Sequence, residues 1–259
     1  MNTNPSATVM APMPMTTRRQ GIDRWFYVCV TLLSIGLNVV AFGPSLVVPA
    51  GRTMSLPLTA LVATHATISA AWLLIFLAQA MLIATGRTAV HRRLGIAGVL
   101  LAVALVVTGP FVVIEEARRG FDLSGDLVPR GTSQDAGITL SLLFVFLLFG
   151  LLVAGAAWYR RRPEVHKRLM LLALVPLTNA PLAHLVGHWE ALRPWAGVIF
   201  PGFNAVLLAL LPIHDRLTRG RIHPVSLWGA ILLFAWFPVF LGVVASTAAW
   251  RNFAEWLVR

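Results

Sequence analysis

Residues 87–95, "RTAVHRRLG", stand between two long apolar stretches, 57–85 and 94–114. A bilayer-spanning helix needs about 20 apolar residues, so each flank is long enough to cross. Five further stretches qualify: 25–48, 138–159, 167–188, 195–213 and 225–249. The stretch at 195–213 is the weakest, because Pro201 and Pro212 interrupt it and because it is short. Hydrophobic residues make up 58% of the 259-residue chain and charged residues 12%, against about a quarter charged in a soluble domain. The mean hydropathy is +0.77. The expected fold is an all-α integral membrane bundle of seven helices, with residues 1–20 a disordered cytoplasmic tail and 21–259 one transmembrane domain.

The basic residues set the orientation. The net charge of +11 is spread in short clusters between apolar runs, which reads as topology and not as a nucleic-acid surface. With the N-terminus in the cytoplasm, 14 of the 21 Lys and Arg residues fall on inner segments. The positive-inside rule therefore predicts N-in and C-out, in a bacterial inner membrane with the lipid bilayer as first partner. Trp25, Trp158, Trp189, Trp195 and Trp250 fall near the ends of the expected spans, where an indole sits well. Cys29 is the lone cysteine, so no internal disulfide or thiolate cluster forms.

The spacing in the opening stretch recurs. Arg87–His91, Arg162–His166 and Arg219–His223 are each R-x-x-x-H at an inward-to-outward helix start. This suggests three helical hairpins added to helix 1. One reading of the repeat is topology alone. The other is an Arg/His ring at the cytoplasmic surface that holds a lipid phosphate, a quinone head group or a cofactor's carboxylates, since arginine binds planar anions bidentately.

Ionisable residues within spans are functional suspects. His65 lies in "VATHATISAAW" and His184 in "PLAHLVGHW", each roughly 9 Å outside its helix midpoint at 1.5 Å per residue. Two histidines at one height suit the axial ligands of a haem b. Ser69, Ala66 and Ala70 beside His65 would leave room for a flat ring. The bland alternative is a hydrogen bond from each histidine to a neighbouring helix. His184 and His188 are also an i, i+4 pair that chelates a small metal ion if His65 or Glu190 joins. His214-Asp215 reads either as a hydrogen-bonded pair or as a helix end. The only lysine, Lys167, sits at the membrane edge, which excludes a mid-helix retinal Schiff base.

The starts "HRRLGIAGVLL" and "HKRLMLLAL" resemble the helix starts of uncharacterised bacterial multi-pass membrane proteins. The histidine set more distantly resembles transmembrane b-type cytochromes of the ascorbate-reducible kind, which carry a haem near each face and pass electrons across the membrane. That resemblance implies His65 and His184 as the outer pair and His91 and His166 as the inner pair. It covers at most helices 2–5, and the fourth span carries no histidine. The expected function is electron transfer by haem b bound to His65 and His184, with Arg87, His91, Arg162, His166, Arg219 and His223 at a second cofactor or quinone. The alternative is a small transporter or lipid-binding protein whose Arg/His ring takes an anionic head group.

Overall fold

The computed structural model describes residues 17–47, 59–119 and 136–259. Expectations placed on the N-terminal tail, on Arg52 and on the acidic connection with Asp122, Asp126 and Asp135 lie outside the described residues. So do the side chains of Arg18, Arg19, Arg24 and His188. The described elements are helices: α1 (Thr17–Val47), α2 (Ala60–Ala84), α3 (Thr88–Arg119), α4 (Ala136–Leu140), α5 (Leu143–Trp158), α6 (Pro163–His188), α7 (Ala196–Arg219), α8 (Pro224–Phe237) and α9 (Ala248–Val258). Seven spans are long and apolar enough to cross a membrane, with α4 and α5 together forming the fourth. α1, α3, α6 and α8 begin at one end of the bundle, here the basic end, and α2, α5 and α7 finish there.

The opening stretch is mostly helix, not loop. Only Thr85–Arg87 turn the chain. Gly86 adopts φ +77, a left-handed conformation that costs glycine nothing. The Gly86 and Arg87 amides donate back to the carbonyls of Ile83 (3.1 Å) and Leu82 (2.7 Å), closing α2 with a Schellman pair. The Arg87 carbonyl then accepts from the His91 amide at 3.1 Å. α3 therefore starts six residues before the apolar run that announced it.

α6 is the hub, packing on α1, α5, α7 and α8. Its residues Leu171–Val175 are buried all round, none more than 5% exposed, as expected of a helix apolar on every face. α1, α2, α3, α5 and α6 close a ring, each packed on the next. Trp72 fills it, with Phe76 and Phe149 at ring distances of 5.3 and 5.0 Å. The bilayer side is apolar too: Leu100, Val103, Val107 and Phe111 form an exposed stripe down α3, which in water would be a large sticky patch.

Two expectations change. The last span was read as continuing to residue 249, but it ends at Val244 in a π-helical turn, and a separate α9 follows. Thr247 caps α9 by accepting from the Trp250 amide at 3.2 Å, and the Trp250 indole donates to the Gly137 carbonyl at 2.8 Å. Ala254 is fully buried against this contact. The repeat also breaks register. Arg87 and Arg162 lead into α3 and α6 with the histidine one turn inside, the Arg162 carbonyl accepting from the His166 amide at 2.9 Å. Arg219 instead closes α7, and His223 is the N-cap of α8. The third copy is offset by one helical turn.

Candidate functional site

At the basic end, His91 and His166 reach toward each other from α3 and α6, both of which pack on α5. Their ring centroids are 6.2 Å apart and the planes stand at 82°. His166 Nδ1 lies 2.8 Å from the Ala156 carbonyl of α5. A carbonyl only accepts, so Nδ1 carries the proton and Nε2 holds the free lone pair. His91 Nδ1 is buried without a hydrogen-bond partner. A metal bonded at about 2 Å to a nitrogen of each ring would stand about 3 Å from each centroid, so the centroid spacing is that of two imidazoles able to share one metal ion. Among the described residues, no three His, Cys, Asp and Glu side chains gather to hold an ion by themselves.

Arg87, Arg92, Arg93, Arg160, Arg161 and Arg162, which flank these histidines in the sequence, are exposed. The Arg162 guanidinium lies over the Tyr159 ring at 5.7 Å. Arg219 and His223 belong to a different constellation, centred on Arg168. The Arg168 side chain and that of Asp215 are both fully buried. Arg168 Nε donates to Asp215 Oδ2 (3.1 Å) and Ser226 Oγ (3.0 Å). Its Nη1 donates to the carbonyl and carboxylate of Glu164, both at 2.7 Å, and its Nη2 donates to Asp215 Oδ1. Ser226 Oγ donates to Asp215 Oδ2. The Arg219 guanidinium pairs with Glu164. All three arginine nitrogens are satisfied, which is the condition for burying such a charge. The His223 amide donates to Asp215 Oδ2 at 3.2 Å, and its Nδ1 accepts from the Val225 amide at 3.1 Å. Burial first, and then the Arg168 charge, pulls the His223 pKa below the ordinary imidazole value.

A second pair lies alongside. Lys167 Nζ donates to Asp23 Oδ2 of α1 at 2.8 Å. His214 Nε2 is 3.6 Å from Asp23 Oδ1. The His214 ring stacks on Phe26 at 3.9 Å and 13°, with Tyr27 edge-on at 6.0 Å. Both His214 ring nitrogens and the Tyr27 hydroxyl are buried without hydrogen-bond partners. His214 and Asp215 thus face different ways, one toward α1 and one toward α6, and do not form the pair that their adjacency suggested.

At the far end, His65 Nδ1 meets Thr108 Oγ1 at 3.0 Å and its ring stands edge-on to Phe146 at 5.6 Å. His65 is therefore turned toward α3 and α5. Ala66 and Ala70, expected to border a flat cofactor, are exposed on the outer surface. Ser69 donates to the His65 carbonyl of its own helix at 2.8 Å. His184 is buried beside Phe42 of α1 at 4.7 Å. Glu190, offered as a third metal ligand in place of His65, has an 89% exposed side chain.

Reading the sequence alone undervalued Arg168, Glu164, Asp23 and Tyr27. Their signal was present: Glu164 and Arg168 are i, i+4 on α6, and Asp23 is an acid at the start of a basic-flanked span. Their partners on α1, α7 and α8 are 47 and more residues away for Arg168 and 144 for Lys167, beyond any local pattern. Comparison with protein-family models, with curated proteins and with solved structures finds no match to this chain.

Proposed function

We propose that the protein is an electron-transfer membrane protein that binds haem b between α3 and α6, with His91 and His166 as its axial ligands. The reading is supported by the neighbouring imidazoles at 6.2 Å, one of them held by a carbonyl in the tautomer that leaves Nε2 free. A hydrogen bond on the second nitrogen is the usual device for orienting a metal-binding histidine. When bound, the haem supplies one-electron transfer. Arg87, Arg92 and Arg162 stand exposed at the same end and suit the carboxylates that a haem presents. The distribution of basic residues supports a cytoplasmic position for this end. The far-end histidines are not needed for this reading.

A visible spectrum of the detergent-purified protein, oxidised and then dithionite-reduced, tests it. Sharp reduced α and β bands at one haem per chain are expected. His91→Ala and His166→Ala should each abolish them while the protein still elutes as a monodisperse peak. His65→Ala should keep them. A colourless protein from haem-supplied cells would reject the reading. The exposed arginines would then support a surface for anionic lipid, tested by phosphatidylglycerol retention in an Arg87→Gln, Arg162→Gln variant.

A further inference from the structure

The seam between α1, α6 and α7 joins two features that the haem reading leaves unused. At its basic end are Phe26, Tyr27 and His214. His214 is only 5% exposed, and its two ring nitrogens and the Tyr27 hydroxyl lack hydrogen-bond partners, with the charged Asp23 Oδ1 at 3.6 Å from His214 Nε2. An unmade hydrogen bond on a buried polar atom is costly, so three together mark a place where a ligand would supply them. Deeper along the same seam, an apolar groove of ≈ 380 Å³ is lined by Leu33, Gly36, Leu37, Val40 and Phe203. Leu33 and Val40 are 57% and 62% exposed, so the groove opens sideways to the bilayer. A small hollow between the two shares Ser34 and Leu207 with it and reaches Val30 and Leu211. Tyr27 and Gly36 are nine residues apart on α1, about 14 Å along the axis.

We propose that this seam binds one long-chain quinone, its ring at Phe26, Tyr27 and His214 and its isoprenoid tail in the groove at Gly36. Charge decides the head group. Among the described side chains, the cations Lys167, Arg168 and Arg219 are each paired with Asp23, Asp215 or Glu164. The cluster has no surplus positive charge to hold a phosphate. It offers neutral donors, the Tyr27 O–H and one His214 N–H, to the carbonyl oxygens of a flat uncharged ring. The tail has an apolar place of its own. The site is separate from His91 and His166, and its occupancy is read without a haem signal.

The test is a titration of the full-length purified protein with decylubiquinone, followed by tryptophan fluorescence, beside a tail-less dimethoxy-methyl-benzoquinone. Saturable binding near one per chain is expected. Gly36→Leu fills the groove, and since a Cβ at Gly36 meets nothing within 4 Å the variant should fold. It should weaken decylubiquinone about tenfold and leave the tail-less ring unchanged. Tyr27→Phe should weaken both several-fold. Absence of saturation, or affinities unmoved by both substitutions, would overturn the proposal. So would displacement of decylubiquinone by phosphatidylglycerol at equal concentration, which would make the head site an anion site.

Discussion

Arg168 is the residue on which the basic end turns. Its charge is buried among α6, α7 and α8, and it is tolerated because Asp215, Glu164 and Ser226 take up its donors. Removing one member leaves the other charge stranded, at a cost of about 3–5 kcal/mol. Arg168→Met should therefore unfold the protein much earlier in a detergent thermal scan. The double variant Arg168→Met, Asp215→Leu should recover most of the loss, because it strands neither charge. Additive losses in that cycle would show that the pair is not the stabilising contact. His223 gives a pH signature. Its Nδ1 caps α8 only while unprotonated, and its pKa is depressed in the fold by burial and by Arg168. The unfolded chain then binds more protons than the native one below about pH 6.5. This stabilisation is complete above that pH and is lost as pH falls toward the folded value. Tm measured from pH 8 to 5 should fall more steeply for the natural chain than for His223→Asn, whose amide caps without titrating; the cap is worth about 1 kcal/mol.

At the scale of elements, close approach separates one glycine from another. α3 passes α5 at Gly109, where an added Cβ would overlap the Phe146 ring. At Gly36 of α1 an added Cβ would meet nothing. Gly109→Ala should therefore cost about 1–3 kcal/mol through overpacking, and Phe146→Leu should relieve part of it. Gly36→Ala should be neutral or slightly stabilising, because alanine orders a helix at less entropic cost. Denaturant midpoints in one detergent compare the two directly. Proline does not break α6 or α7, although Pro176, Pro181, Pro201 and Pro212 all lie inside them. Polar side chains occupy some of the carbonyls around them: Thr178 Oγ1 donates to Val175 at 2.7 Å and Asn204 Nδ2 to Phe200 at 2.9 Å. Asn204 also donates to Asn179 Oδ1 at 2.8 Å, tying the two proline-bearing helices together in the way membrane helices use amides. The weakness assigned to the sixth span from its prolines was for this reason overstated, and so was the part assigned to its length, since the span runs Arg193–Arg219.

For the whole molecule, the hub position of α6 and the asymmetry of its ends matter most. The basic end is polar, ion-paired and histidine-bearing. The far end holds His65 against Thr108 and Phe146 and His184 beside Phe42. The proposed orientation puts the basic end inside, which cysteine labelling checks in a Cys29→Ser background. A membrane-impermeant maleimide added to intact cells should label Glu190→Cys and spare Arg161→Cys. The reverse pattern would invert the topology and move the proposed haem to the other compartment. α9 lies outside the seven spans and packs on α3 and α4. It was merged with the preceding span because hydropathy alone does not register the turn at Ser246 and Thr247 that ends that span and caps the next helix.

The seven spans were legible because hydrophobic length is a local property: an 18-residue run either satisfies the bilayer or does not. The positions of His91 and His166 at helix starts were legible for the same reason, being set by short basic turns such as Thr85–Arg87. Which way each histidine turns was not, beyond the His91–His166 pairing that the cytochrome resemblance implied. His65 and His184 matched in height along the membrane normal, but height leaves azimuth free, and packing turned His65 to α3 and α5. The buried ion cluster was hidden too, because Asp215 reads as an ordinary basic-flanked helix end until α7 and α8 are laid against Arg168. Sequence alone decided which stretches are long and apolar enough to cross a membrane. Only the rotation of each helix about its axis, fixed by packing around α6, decided which charged side chains meet.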